Sequence, residues 1–138
     1  MYRKMIFIFL FFFVACSNKI VQNNISEEQL NSLQKFSIEI KENLKVNNFD
    51  YLEENTYESI RNNRMLVEIG KMDFSNIDIF MSKIMFDESK IFSILGLNTQ
   101  ESTFYFELIY SYDYHSKKWK IYRVDERGWL FWKIKKIE

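Results

Sequence analysis

Hydrophobic residues recur at helical spacing in the first third of the chain. Ser26 is a good N-cap, and Gln29 lies three residues on, where a capping box has its second partner. Beyond them one apolar stripe continues at intervals of three and four residues, through Leu30, Leu33, Phe36, Ile40 and Leu44. This spacing predicts a long helix from about Glu27 to Val46 that turns one face toward a core.

Two shorter helical segments are predicted next. The pair Asn47–Asn48 interrupts the stripe, and a second helical region follows it to about Asn55. From Thr56 to Met72 the apolar positions fit a third helix, and the pair Asn62–Asn63 weakens that pattern.

After Asp73 the period changes to two residues, with Ile77, Ile79 and Met81 alternating with Asp78, Phe80 and Ser82, which is the period of a β-strand. Strands are predicted over residues 77–82, 91–97, 103–112 and 118–124. Turns are predicted at Asp87–Lys90, at Tyr114–Lys117 and at Asp125–Gly128, the last of them leading into a final strand, Trp129–Ile134. Helices followed by an antiparallel meander indicate an α+β domain.

The strand over residues 103–112 has two unlike faces. Tyr105, Glu107 and Ser111 share one face, and the opposite face is apolar or aromatic throughout. Trp119, Ile121 and Arg123 share a face on the next strand. Together the apolar face and these three residues form the candidate pocket, which consists of Phe104, Phe106, Leu108, Tyr110, Tyr112, Trp119, Ile121 and Arg123.

Arg123 has two interpretations. It either reaches an anionic ligand at the mouth of the pocket or pairs with Asp125 or Glu126 at the strand end. The ion pair is the simpler of the two and is preferred.

A hydrophobic run of a different kind opens the chain. Arg3 and Lys4 precede an unbroken apolar segment, residues 5–14, which ends at Ala15 and Cys16. A positive start, an apolar core of roughly 7 to 15 residues and a small residue before the cut form a secretory signal. Because a membrane-spanning helix needs about 20 apolar residues, the run is too short to span.

The end of this run, Phe13-Val14-Ala15-Cys16, resembles the lipobox of bacterial lipoproteins. The resemblance implies a diacylglyceryl group on the Cys16 sulfur and cleavage between Ala15 and Cys16. Phe13 departs from the family's usual aliphatic residue. An ordinary secretory leader with an incidental Cys16, or an uncleaved apolar anchor, is the alternative.

A lipid on Cys16 predicts attachment to a membrane of the bacterial cell envelope. Each buried methylene contributes about 0.8 kcal/mol, so two or three acyl chains hold a protein firmly on a bilayer. Ser17 is not the aspartate that retains some lipoproteins at an inner membrane, which favours the outer membrane where the host has one.

These boundaries give a signal peptide (1–15), a lipidated cysteine with a flexible tether (16–25) and a single α+β domain (26–138). The chain has 19 basic and 19 acidic residues, and removal of Arg3 and Lys4 with the leader leaves a net charge near −2. This balance argues against nucleic acid as a partner, because nucleic-acid binding calls for a basic surface. The single cysteine excludes an internal disulfide.

The order of the elements resembles the nuclear transport factor 2-like (cystatin-like) superfamily, which includes small bacterial lipoproteins. The residues that carry the resemblance are Asn48-Phe49-Asp50-Tyr51-Leu52, Lys118-Trp119-Lys120-Ile121 and Val124-Asp125. It covers about Glu27 to Val124. It implies a curved antiparallel sheet that wraps the first helix as a cone around a cavity, used for binding, for isomerase or dehydratase chemistry, or as a dimer face. Such a fold implies no particular reaction.

Few residues offer catalytic chemistry. An isomerase or dehydratase needs an acid or base in its cavity, for which Glu107 or Asp125 beside Tyr110 is the best candidate set. His115, the only histidine, is expected in an exposed turn. The sequence contains no set of residues with the spacing of a metal site and no glycine-rich phosphate loop, so no metal or cofactor is predicted.

The C-terminal segment Trp129–Lys136 has two interpretations. As a strand it places Leu130, Trp132 and Ile134 on one face, and this interpretation is preferred. Aromatic rings beside lysines also suit a bilayer interface.

We therefore expect a lipid-anchored envelope lipoprotein whose domain binds a small apolar ligand or an envelope protein, and which is not an enzyme. A homodimer is an alternative form of partner. A structural lipoprotein without a pocket and a small-molecule isomerase or dehydratase are the alternative functions.

Overall fold

The computed structural model describes residues 25–127. The predicted cleavage and lipidation site at Ala15 and Cys16, almost all of the predicted tether and the predicted last strand, Trp129–Ile134, lie outside the described residues. Within the described part, no helix is long and apolar enough to cross a membrane.

Helix α1, Glu27–Lys45, begins at the predicted capping box. The Ser26 hydroxyl accepts from the Gln29 amide at 3.1 Å, and the Gln29 side chain accepts from the Ser26 amide at 3.0 Å. The helix ends one residue before the predicted bound, and Asn47 follows with a left-handed φ of 60°. The prediction of this helix is confirmed.

The next two helices are shorter than predicted. Helix α2 is Asp50–Glu54, and helix α3 is Ile60–Gly70 with Ser59 as its N-cap. The prediction of helix from Thr56 was wrong, because Thr56 forms a parallel bridge with Ile121 of the sheet. A 3-10 helix, Phe74–Asn76, leads into the strands.

A five-stranded antiparallel sheet follows. Its strands are β1 (Asp78–Met81), β2 (Met85–Asp87), β3 (Lys90–Asn98), β4 (Thr103–Asp113) and β5 (Lys118–Arg127). The order is β1-β3-β4-β5, and β2 also pairs with β3. Strand β2 was not predicted; the predicted turn at Asp87–Lys90 narrows to Glu88 and Ser89. Helices followed by an antiparallel meander confirm the α+β class.

Strand β5 differs from the prediction in two ways. The predicted turn at Asp125–Gly128 was wrong, because β5 continues to Arg127, which lies opposite Tyr105 on β4. The pairing register also shifts: Ile121 lies opposite Tyr110 but Arg123 lies opposite Ile109, so Tyr122 is the extra residue of a bulge.

The bulge reverses the alternation beyond Tyr122. Trp119 and Ile121 face the core, whereas Arg123 lies on the opposite sheet face, so the prediction that all three share a face was wrong. Val124 takes the core position that Arg123 was expected to fill, with no exposed surface.

One apolar core lies between α1 and the sheet. Leu33, Ile40 and Leu44 of α1 are fully buried, and they belong to one cluster with Leu108 of β4 and Ile121 of β5. Burial of a side chain of this size contributes about 1.5–3 kcal/mol. The core therefore fixes which side of the sheet faces inward.

Candidate functional site

The inner face of the sheet contains most of the predicted pocket residues, packed as a core. Leu108 and Ile121 have no exposed surface, and Phe106 is 2% exposed. A side chain without accessible surface touches no space that would admit a water molecule. Trp119 is likewise buried, while Phe104 and Tyr112 pack against this cluster at its margin. The residues of the inner face are thus brought together, with side chains filling the space around Leu108 and Ile121.

Tyr110 lies inside this core, and protein groups satisfy its hydroxyl. The phenol oxygen is hydrogen-bonded to the hydroxyl of Ser93 and to the side chain of Ser37. Ser93 also lies 3.3 Å from the Met81 sulfur. Burial raises the pKa of Tyr110, although the two serine hydrogen bonds oppose the shift. Tyr110 is therefore a neutral, internally bonded phenol.

The outer face of the sheet holds charged groups at its centre. Glu107 has no exposed surface, and both Lys90 and Arg127 form ion pairs with it. The Arg127 Nε donates to Glu107 Oε2 at 2.6 Å. A buried carboxylate requires such partners, because an unpaired charge in the interior is strongly destabilising.

Asp125 continues this row on β5. Its carboxylate lies 2.9 Å from Arg123 Nε and 2.7 Å from a terminal nitrogen of Arg61. The preferred interpretation of Arg123, an ion pair with Asp125, is confirmed. Glu107 and Asp125 lie on the sheet face opposite Tyr110, so the structure does not bring the predicted acid and tyrosine together.

Among residues 25–127, the edge of β5 that does not pair with β4 is covered by the segment before α3 and by one side chain of α3. The Tyr57 amide donates to Ile121 O at 2.9 Å, and the Ile121 amide donates to Asn55 O at 2.8 Å. Asn62, 1% exposed, donates to Tyr57 O and to Tyr122 O and accepts from the Val124 amide at 3.1 Å. The Asn62 side chain therefore satisfies backbone groups of β5 that a neighbouring strand would otherwise satisfy. The same hydrogen bonds fix the start of α3 against β5.

Large side chains are exposed at this junction. Ile60 is 87% exposed, Tyr122 is 58% exposed and Tyr57 is 37% exposed. The two tyrosine rings meet edge to face at 6.4 Å, and the Lys120 ammonium lies 5.4 Å from the centre of the Tyr57 ring. We name the set Tyr57, Ile60, Arg61, Arg64 and Tyr122 the β5-edge surface.

A cleft of about 470 Å³ extends from this surface between α3 and the end of β5. Its lining consists of Ile60, Arg61, Arg64, Met65, Asp125 and Glu126. Arg61 is paired with Asp125, whereas Arg64 is exposed and has no ion pair within residues 25–127. The cleft thus offers an apolar side chain beside an available guanidinium.

Histidine and metal-binding clusters add nothing to these sites within the described residues. His115 is in the exposed turn between β4 and β5, as predicted. Within residues 25–127, no three side chains of the metal-binding types come together.

The sequence signals for the β5-edge surface were weak. Tyr57 and Tyr122 are far apart in the chain, and their proximity depends on the parallel bridge at Ile121 and on the bulge. Asn62 was interpreted only as a residue that weakens a helix. A buried asparagine, however, often makes hydrogen bonds to backbone groups of another segment.

Comparison of the chain with protein-family models, with curated proteins and with solved structures finds no match.

Proposed function

We propose that the protein is a lipid-anchored lipoprotein of the bacterial cell envelope whose α+β domain binds another envelope protein. The anchor would be a lipid on Cys16, from the resemblance of Phe13-Val14-Ala15-Cys16 to a lipobox. The binding region would be the β5-edge surface. The observation that carries the choice is the exposure of two tyrosines and an isoleucine at a junction that Asn62 holds in place.

We prefer a protein partner at the β5-edge surface to a small apolar ligand in the core. Tyrosine and arginine are among the residues most enriched at the energetic centres of protein interfaces. Small ligands instead prefer cavities that bury most of their surface. Leu108 and Ile121, at the centre of the predicted pocket, have no accessible surface.

The β5-edge surface is positioned before a partner arrives. The two tyrosines pack against each other, Lys120 lies over one of the rings, and backbone hydrogen bonds to Ile121 fix the segment that contains Tyr57. Groups already ordered in the free protein lose less conformational entropy on binding.

The chemistry of the surface indicates the chemistry of its partner. Ile60 would enter an apolar hollow, and Arg64 would pair with a carboxylate beside that hollow, because Arg61 already contacts Asp125. An envelope protein with an apolar hollow rimmed by acidic residues is the partner that fits.

We also propose that the domain has a nuclear transport factor 2-like fold. A sheet that wraps α1 as a cone, as in nuclear transport factor 2-like domains, is supported by the order of helices and strands. In this version of the fold the cone holds a filled core, and binding takes place at its β5 edge.

Site-directed photo-crosslinking in the native host tests the proposal. A photoreactive aromatic residue at Tyr122 should give an adduct with one envelope protein, whereas the same residue at Ile38, which is 59% exposed on α1, should give none. Incorporation of a labelled fatty acid into the wild-type protein, and its loss in Cys16→Ser, tests the anchor separately.

The substitutions Ile60→Asp and Arg64→Glu should each reduce the Tyr122 adduct at least tenfold. Ile60 is the first residue of α3, where a carboxylate favours the helix, so this variant should keep its fold. An adduct with a second copy of this chain would identify a homodimer in place of another protein. Equal adducts at positions 38 and 122, or a Tyr122 adduct that Ile60→Asp leaves unchanged, would contradict the proposal.

A further inference from the structure

The turn between β4 and β5 lies beside the start of α1. The Trp119 indole donates to Gln29 O at 2.9 Å and approaches the Ser32 hydroxyl at 3.0 Å. Ile25, the first described residue, packs against the same core. Because the chain runs from Cys16 to Ile25, it reaches the domain at the end where this turn is located.

A row of aromatic rings connects the start of α1 with the tip of this turn. The Tyr112 ring packs against Trp119 at 5.2 Å and against Tyr114 at 5.0 Å. Trp119 is buried, but Tyr114 at the tip is 70% exposed. The row therefore starts in the core and ends in solvent.

The tip has a defined conformation. The Asp113 carboxylate accepts from the His115 amide at 2.9 Å and from the Ser116 hydroxyl at 2.8 Å. The Ser116 hydroxyl, more than the backbone amides, lowers the pKa of Asp113. Lys117 completes the turn with a left-handed φ of 55°. These bonds hold the Tyr114 ring and the exposed Lys117 and Lys118 at one end of the molecule.

The tether length restricts the distance from this end to the lipid. Ten residues, 16–25, span at most about 35 Å when fully extended. The other end of β4, at the turn Thr99–Ser102, lies farther from the tip by roughly the length of an 11-residue strand, about 35 Å. The lipid on Cys16 is therefore joined to the domain at the end that contains the β4–β5 turn, and the β3–β4 turn lies at the opposite end.

We infer that the β4–β5 turn is a second membrane contact, in which Tyr114 enters the headgroup layer with Lys117 and Lys118 beside it. The inference rests on the proposed lipid anchor. Tyrosine prefers the membrane interface, since its ring is apolar and its hydroxyl is hydrated there. Glu27 and Glu28, in the first turn of α1, offset the two lysines, so the contact depends on the ring more than on net charge.

Fluorescence quenching in vesicles tests this orientation. The full-length lipidated protein is purified in detergent and reconstituted into vesicles of phosphatidylethanolamine and phosphatidylglycerol that contain a lipid spin-labelled at its headgroup. A fluorophore is attached at His115→Cys in one sample and at Glu101→Cys in the other. Both positions are exposed, one at each end of β4.

The spin-labelled lipid should quench the fluorophore at position 115 at least threefold more than the one at position 101. Added Tyr114→Ser should reduce the quenching at 115 toward the level at 101, and added salt should change it little. Equal quenching at the two positions in protein that floats with the vesicles would overturn the inference and leave the anchor standing. Protein that does not float would overturn both.

Discussion

The interior and the β5-edge surface both contain tyrosines, and they use them in opposite ways. Tyr110 is buried, and two serines satisfy its hydroxyl. Tyr57 and Tyr122 are partly exposed, and their rings contact each other edge to face. The first arrangement contributes to folding, whereas the second leaves apolar area in solvent that a partner is able to cover. An aromatic residue on a strand is therefore a poor indicator of a pocket until its surroundings are known.

The largest difference between the two regions is expected in folding stability. Leu108→Ala should lower the free energy of unfolding by about 3–4 kcal/mol, because it leaves a cavity in a filled core. The matched change at the surface, Ile60→Ala, should alter it by less than about 0.5 kcal/mol. Urea denaturation followed by circular dichroism measures both. A small effect of Leu108→Ala would mean that the core is loosely packed and that a ligand cavity exists.

A smaller effect is expected where the two regions join. Asn62→Ala removes three hydrogen bonds to backbone groups and leaves the Val124 amide unpaired, so we expect a loss of about 2–3 kcal/mol. Asn63→Ala, an exposed position on the same helix, is the control and should change little.

Hydrogen exchange adds a local measure of the same change. In the Asn62→Ala protein the amides of Val124 and Tyr57 should exchange faster than in Asn63→Ala. If both variants exchange alike, Asn62 does not hold the β5 edge.

The smallest effect concerns single hydroxyl groups. Tyr110→Phe should cost about 1 kcal/mol, since it removes a buried hydrogen-bonded group and leaves Ser93 with one partner fewer. Tyr122→Phe should leave the free energy of unfolding unchanged within error. Thermal unfolding of the two variants under the same conditions measures both changes in stability. Equal losses of stability would contradict the distinction between the buried and the exposed tyrosines.

The elements that were predicted correctly are those whose signals lie within one continuous segment of the sequence. Helix α1 was predicted within one residue at its end because its stripe and its capping box lie within one segment. Strand β4 was also predicted from a local signal, because its segment is rich in the aromatic residues that strands favour. Its inward-facing residues Phe106, Leu108 and Tyr110 follow from the two-residue period of a strand.

Features set by contacts between distant segments were not predictable. The bulge at Tyr122 depends on how β5 pairs with β4, and it moved Arg123 to the other face of the sheet. The run from Asp125 to Arg127 resembles a turn, yet Arg127 continues the strand because the buried carboxylate of Glu107 lies within its reach. The β5-edge surface was missed for the same reason, because long-range bonds of Asn62 assemble it.

Native mass spectrometry of the lipidated protein, extracted gently from its own host, tests the central claim most directly. We predict a complex with one protein partner that is lost in Ile60→Asp, and no small molecule retained by the domain. A small molecule that is bound to the wild-type protein and retained in Ile60→Asp, with no protein partner, would contradict this prediction. It would indicate a binding site in the interior of the domain.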